Sequence, residues 1–291
     1  MKKFLCFVLL LGGLCPSLSA GEFTGAASYV GSSDFTKLQT GLLWQFGLNW
    51  LAGVEAKYSD EKGIKDPIYA VKVPLEFTSD VFSLSLVPFY YFDNKDKEND
   101  LKYQAFGISG QLIMTLQDDA VDELYSHAYI RAAFARQRGT RMYDDATTEH
   151  NYFSQAAYTL GLHKNFYRAF SFEAAGSMFQ YPDGISHITA WKGILDQQDL
   201  VSLYSYDIVH ELPKYAAAAR VTWMWPERRA TFYLAYRFGE FYTADPDHSA
   251  IIGNSFALTP SLLCELAYNH LRNVHNDNKR DIFYAQLKFK F

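Results

Sequence analysis

The chain is poor in cysteine, in long apolar runs and in positive charge, and each shortage closes off a class of protein. Its 291 residues hold three cysteines, Cys6, Cys15 and Cys264. Two of them fall in a stretch built like a secretory leader: Lys2 and Lys3, an apolar core over residues 4–14, then Ser17-Leu-Ser-Ala20 as a small-residue cleavage site. With residues 1–20 expected to be removed, Cys264 has no partner in the chain, which excludes a disulfide scaffold or a cysteine-rich zinc module. Leu14 is bulky where a lipoprotein leader carries a small residue, so Cys15 does not read as a lipid anchor. No later apolar run reaches the roughly 18 residues of a spanning helix. Loss of Lys2 and Lys3 from 27 basic residues leaves 25 against 32 acidic ones, a balance that argues against nucleic acid as a partner.

Motifs of chemistry are equally scarce. A lipid hydrolase of the His-x-Ser type needs its imidazole within reach of a hydroxyl. The residues two places after the eight histidines are Tyr129, Tyr152, Asn165, Thr189, Leu212, Ala250, Arg272 and Asp277, and none is serine. The acidic runs Asp93–Asp100 and Asp245-Pro-Asp-His248, and the His275-Asn-Asp277 segment, lack the spacing and glycine of a calcium loop. They read as solvated loops. Gly-rich phosphate cradles are missing as well. No catalytic residue, metal or cofactor is expected.

What the chain does have is an unusual pairing of 17% aromatic with 20% charged residues, arranged with a period of two. The last stretch shows it most plainly. In Asp281–Phe291 one row is Phe283, Ala285, Leu287, Phe289 and Phe291; the other is Ile282, Tyr284, Gln286, Lys288 and Lys290. Alternation of this kind places two rows on opposite faces of a strand. An apolar row beside a row ending in two lysines suits a strand with lipid on one side and water on the other. The stretch resembles the C-terminal recognition signal of Gram-negative outer-membrane β-barrels, an alternating final strand ending in an aromatic residue. The resemblance covers one strand. It implies an all-β, antiparallel up-and-down transmembrane barrel over residues 21–291, located in the outer membrane.

The rest of the chain repeats the pattern. Leu38, Thr40, Leu42, Trp44 and Phe46 form an apolar row that meets Leu48, Trp50, Ala52, Val54, Ala56 and Tyr58 at a tight turn, a hairpin signal. Further segments run over residues 69–77, 82–92, 101–116, 124–135, 152–163, 170–181, 215–225, 230–241, 251–258 and 262–271, with a weaker first one at 22–30. Arg136–Asn151 reads as a charged loop, and 182–213 is the longest connection. The count is about fourteen strands, an even number with short and long connections alternating; one hairpin miscounted gives twelve or sixteen. A soluble sandwich also alternates, but its aromatics point inward and its outside is charged. Here Trp44, Phe46, Tyr58, Tyr69, Phe77, Tyr90, Phe92, Trp223 and Trp225 sit at segment ends, as interfacial girdles do.

If the apolar rows face lipid, the opposite rows line a lumen with Glu55, Lys57, Lys72, Glu76, His127, Arg131, His163, Glu173, Arg220, Arg237, Glu265, Lys288 and Lys290. Ionisable groups at membrane depth must face water or one another. They either set the electrostatics of an aqueous channel or lock the barrel shut as a network. Recognition of a solute would draw on Arg131, Arg220 and Arg237 facing Glu55, Glu173 and Glu265. Tyr91, Tyr125, Tyr129 and Tyr233 on the same rows would narrow the bore. Within the long connection, residues 186–195 suit a short helix whose Trp191 and Lys192, with nearby Asp196, are candidates to constrict the mouth. Arg136-Gln-Arg-Gly-Thr-Arg141 suits lipopolysaccharide phosphate or, more simply, a loop neutralised by Asp144 and Asp145.

The expectation that follows is a monomeric channel, similar in size to fourteen-stranded monomeric porins, for passive diffusion of small polar solutes or ions. Its expected partners are membrane lipid, lipopolysaccharide and the barrel-assembly machinery, the last through Phe291. A lipid-modifying hydrolase and a closed structural or adhesive barrel with surface-binding loops are the alternatives.

Overall fold

A computed structural model describes residues 22–33, 35–61, 67–96, 101–119, 124–142, 148–166, 169–184, 212–225, 229–242, 245–273 and 279–290. The expected leader, the expected constriction residues Trp191, Lys192 and Asp196, the 275–277 segment and Phe291 lie outside them.

The described chain is fourteen antiparallel strands: β1 (Phe23–Gly31), β2 (Phe35–Phe46), β3 (Trp50–Glu61), β4 in two pieces (Ile68–Lys72 and Leu75–Thr78), β5 (Phe82–Asp96), β6 (Leu101–Asp119), β7 (Leu124–Met142), β8 (Thr148–Phe166), β9 (Phe170–Gln180), β10 (Pro213–Trp225), β11 (Ala230–Phe241), β12 (Asp247–Thr259), β13 (Leu262–Asn273) and β14 (Lys279–Lys290). Each pairs with its neighbours in sequence, and β14 pairs with β1, so the sheet closes without an edge. Closure satisfies backbone groups that lipid cannot satisfy. The break in β4 falls at Val73-Pro74, where proline has no N–H to give the ladder. Irregular bonds carry the pairing across it: Val73 N donates to the Pro88 carbonyl at 3.0 Å and Gly53 N to the Pro74 carbonyl at 2.9 Å.

Connections at one end, which also holds residues 22 and 290, are short (47–49, 79–81, 120–123, 167–169, 226–229 and 260–261); the other end holds the 181–212 connection. They are the turn end and the loop end. Phe23, Trp44, Phe46, Trp50, Phe77 and Phe82 make a continuous chain of ring contacts, with centroids 4.9–6.3 Å apart, along the outer rim at the turn end from β1 to β5. Trp223 continues the motif further round, 5.8 Å from Phe232. Between the rims the outside is aliphatic and aromatic: Leu160 is 65% exposed, Leu234 62% and Phe283 58%. Water would not tolerate so continuous an apolar surface; acyl chains would.

Strands at the loop end run further than apolar periodicity suggests. Residues 136–142 and 148–151 are strand rather than loop: β7 continues to Met142 and β8 begins at Thr148. Gln137 faces the interior there while Arg136 and Arg138 face out, so the alternation persists with a polar outer row that resembles a loop when only apolar residues are counted. For the same reason Asp93–Asp96 belong to β5, and Asp247 and His248 open β12.

Candidate functional site

The register fixes which row faces the interior. Paired residues share a face, so Glu55 with Lys72, His127 with His163, Glu173 with Arg220, and Glu265 with Gln286 all point into the barrel. The same parity places Glu76, Arg131, Arg237 and Lys288 on inward rows.

The interior divides by height. In its loop-end half the inward side chains are buried. Val30, Phe35, Ile251, Ile282 and Tyr284 form part of one apolar cluster, and Ala70, Phe89, Tyr91, Ala105, Ala135 and Phe179 part of another. Tyr91 is wholly buried, and two lysines, Lys37 and Lys57, are only 4% exposed. In the turn-end half the inward residues Glu76, Gln111, His163, Thr222 and Ser255 remain partly open, and Lys288 is exposed.

Where the halves meet, a repeated arrangement holds the acids. Tyr129 on β7 lies over Gly161 on β8 and donates from its hydroxyl to Glu173 Oε1 on β9 at 3.2 Å. Tyr233 on β11 lies over Gly253 on β12 and donates to Glu265 Oε1 on β13 at 2.9 Å. A β-carbon at either glycine would fall inside the tyrosine ring, which is why a residue that weakens strands occupies both positions. Arg220 Nε donates to Thr222 Oγ1 at 3.1 Å, and its guanidinium sits 4.0 Å from the centre of the Tyr233 ring, a cation–π contact. On the other wall Gln39 Nε2 donates to Glu55 Oε2 at 3.0 Å.

Above this level Lys37, Lys57 and Lys72 occupy inward rows of the neighbouring strands β2, β3 and β4, with Glu55 paired to Lys72. Lys57 Nζ reaches the Tyr91 hydroxyl at 3.5 Å and its ring centre at 5.6 Å. Higher still, Arg237 Nη2 meets both oxygens of Asp247, at 3.3 and 3.2 Å, as a buried ion pair. The imidazoles of His127 and His163 stack with centroids 4.8 Å apart at 11°, on the more open side.

Register sets Arg220 beside Glu173 on one inward level. The structure adds contacts that periodicity did not suggest: Tyr129 and Tyr233 donate to Glu173 and Glu265, Gln39 donates to Glu55, and Asp247 at the start of β12 meets Arg237. The tyrosines were visible as inward residues. Their role was readable only together with the inward glycines 161 and 253, which mark close approach of another group.

Fold and interior together define a class: a closed, fourteen-stranded antiparallel barrel with a lipid-type exterior and a charged lumen, the architecture of outer-membrane channels. No family model matches the chain, and no curated protein matches it in sequence. Among solved structures it is similar to the CymD monoaromatic hydrocarbon channel, at 10% identity and a TM-score of 0.51, with 94% of this chain and 88% of that one covered. It is also similar to CdiB from Acinetobacter baumannii (9%, TM-score 0.53), spanning 95% of this chain but 61% of that one. The TodX deltaS2S3 mutant monoaromatic hydrocarbon channel gives 9% and a TM-score of 0.50, with 94% and 91% covered. At such identities the likeness is one of fold.

Proposed function

We propose that the chain is a monomeric outer-membrane channel that passes small hydrophilic solutes or ions by passive diffusion. The observation that carries this reading is the set of ionisable side chains on inward rows at membrane depth, from Lys288 through Glu265, Glu173 and Arg131 to Lys72, enclosed by an apolar outside. In this reading the short turns face the periplasm and the loop end faces the exterior. Residues 1–20 direct export, the terminal aromatic addresses the assembly machinery, and lipopolysaccharide surrounds the outer rim.

Planar-bilayer recording tests it. Purified, folded protein should give stepwise currents. Folded protein that carries no current overturns the reading.

A lipid-modifying hydrolase draws support from one outward pair: His270 Nδ1 lies 2.8 Å from Asp281 Oδ1, which also accepts from the Tyr268 hydroxyl at 2.6 Å. Among the described residues the outward rows beside the pair supply no serine. The residue paired with His270 on β12 is Ala250, and Ser249 faces inward. Release of fatty acid from phospholipid or lipopolysaccharide by the purified protein would reinstate that reading.

A further inference from the structure

The outer wall carries polar residues where the apolar band stops at the loop end, and two places on it differ in how their charge is balanced. On β11–β14, His270 meets Asp281, and the Tyr236 hydroxyl meets His248 Nδ1. A carboxylate is present. On β7–β8 the outward row climbs Ile130, Ala132 and Phe134, then changes to Arg136 and Arg138. The guanidinium of Arg136 lies 4.5 Å from the centre of the Tyr152 ring. Arg138 Nη2 lies 3.3 Å from the ring nitrogens of His150, which also meets Thr140 Oγ1 at 3.1 Å. Arg138 Nε is buried without an acceptor. Phe106 and Gln104, paired to Arg136 and Arg138 on β6, add no charge. So Arg136 and Arg138 stand two residues apart along one strand, about 7 Å between their Cα atoms, with aromatic, amide and imidazole neighbours and, among the described residues, no carboxylate.

We propose that Arg136 and Arg138, with Tyr152 and His150 beside them, bind the phosphate of a phosphorylated glycolipid headgroup in the leaflet at the loop end. A guanidinium presents paired N–H donors that match phosphate oxygens. The position is where a headgroup lies: one step above Phe134, flanked by Tyr152, with acyl chains against Ile130 and Phe134 below. Aromatic stacking holds Arg136 in place before the ligand arrives, which lowers the ordering cost of binding. The inference rests on the membrane placement proposed above but not on conduction.

The test uses the full chain folded into phospholipid vesicles with and without lipopolysaccharide, then extracted and assayed for retained lipopolysaccharide. Wild type should retain it. Arg136→Gln/Arg138→Gln should retain about tenfold less, the loss expected from removing charge-assisted hydrogen bonds. Arg136→Lys/Arg138→Lys should fall between them, and His270→Gln, on the balanced wall, should match wild type. Heat-modifiable mobility on gels reports folding; if the glutamine variant fails to fold, the lysine variant with phosphatase-treated lipopolysaccharide reads the same contact. Equal retention by the folded glutamine variant overturns the inference, as does equal retention of the dephosphorylated lipid. Displacement by inorganic phosphate alone also overturns it, because that marks a free-anion site. Wild type that retains lipopolysaccharide yet carries no current sinks the channel reading and upholds this one.

Discussion

The two halves of the lumen are built from the same alternating strands yet solve opposite problems. At the loop end the inward rows are packed: Tyr91, Val30, Ile282 and many alanines close around Lys37, Lys57 and the Arg237–Asp247 pair. At the turn end they are polar, partly open and lightly bonded, with Glu76, Gln111 and Lys288 facing water. Charge is present in both. What differs is desolvation. A charge that keeps water contributes to the field seen by a passing ion; a charge that has lost it must be held by partners and becomes part of the frame. Between them, Tyr129 and Tyr233 fix Glu173 and Glu265 at one level.

Substitutions can break this contrast, and the largest effect belongs to the buried pair. Arg237→Met leaves Asp247 without its cation in a dry place and should lower stability by about 3–5 kcal/mol, read as a drop in the urea midpoint in lipid vesicles; adding Asp247→Leu should recover most of it. Gly253→Val drives a side chain into the Tyr233 ring and should cost about 1–3 kcal/mol, with partial rescue by Tyr233→Ala. Tyr129→Phe removes one donor from Glu173 and should cost about 1 kcal/mol, while making single-channel current noisier as the carboxylate loosens. Lys288→Gln, at the open end, should change stability by less than about 0.5 kcal/mol and shift only the reversal potential. An effect of Lys288→Gln as large as that of Arg237→Met would remove the distinction between the halves.

Much of the architecture was legible because membrane strands alternate strictly. Rows such as Leu38–Phe46 and Phe82–Phe92 gave both the strands and the inward face, and the count of fourteen stands. The loop-end boundaries were not legible. Arg136–Met142 and Asp247-His248 alternate polar with polar or small residues, which carries no hydrophobic signal although backbone pairing continues. The inward charges could be read as a set, but their partners could not. Tyr129 and Glu173 are 44 residues apart and Tyr233 and Glu265 are 32 apart. Each pair meets because a glycine on the strand between lets the ring cross, a relation that exists only after the register is set.

That crossing has a mechanical side. Each tyrosine skips a strand, so β7–β8–β9 and β11–β12–β13 are tied as triplets, with β10 joined to its neighbours by the ordinary ladder and by Arg220 resting on Tyr233. A barrel drawn out of a bilayer strand by strand from its C-terminus should resist at the first triplet, yield, and resist again at the second. Force–extension traces should show two taller peaks separated by the shorter step of β10. Substituting Tyr233 by phenylalanine should flatten the first of them.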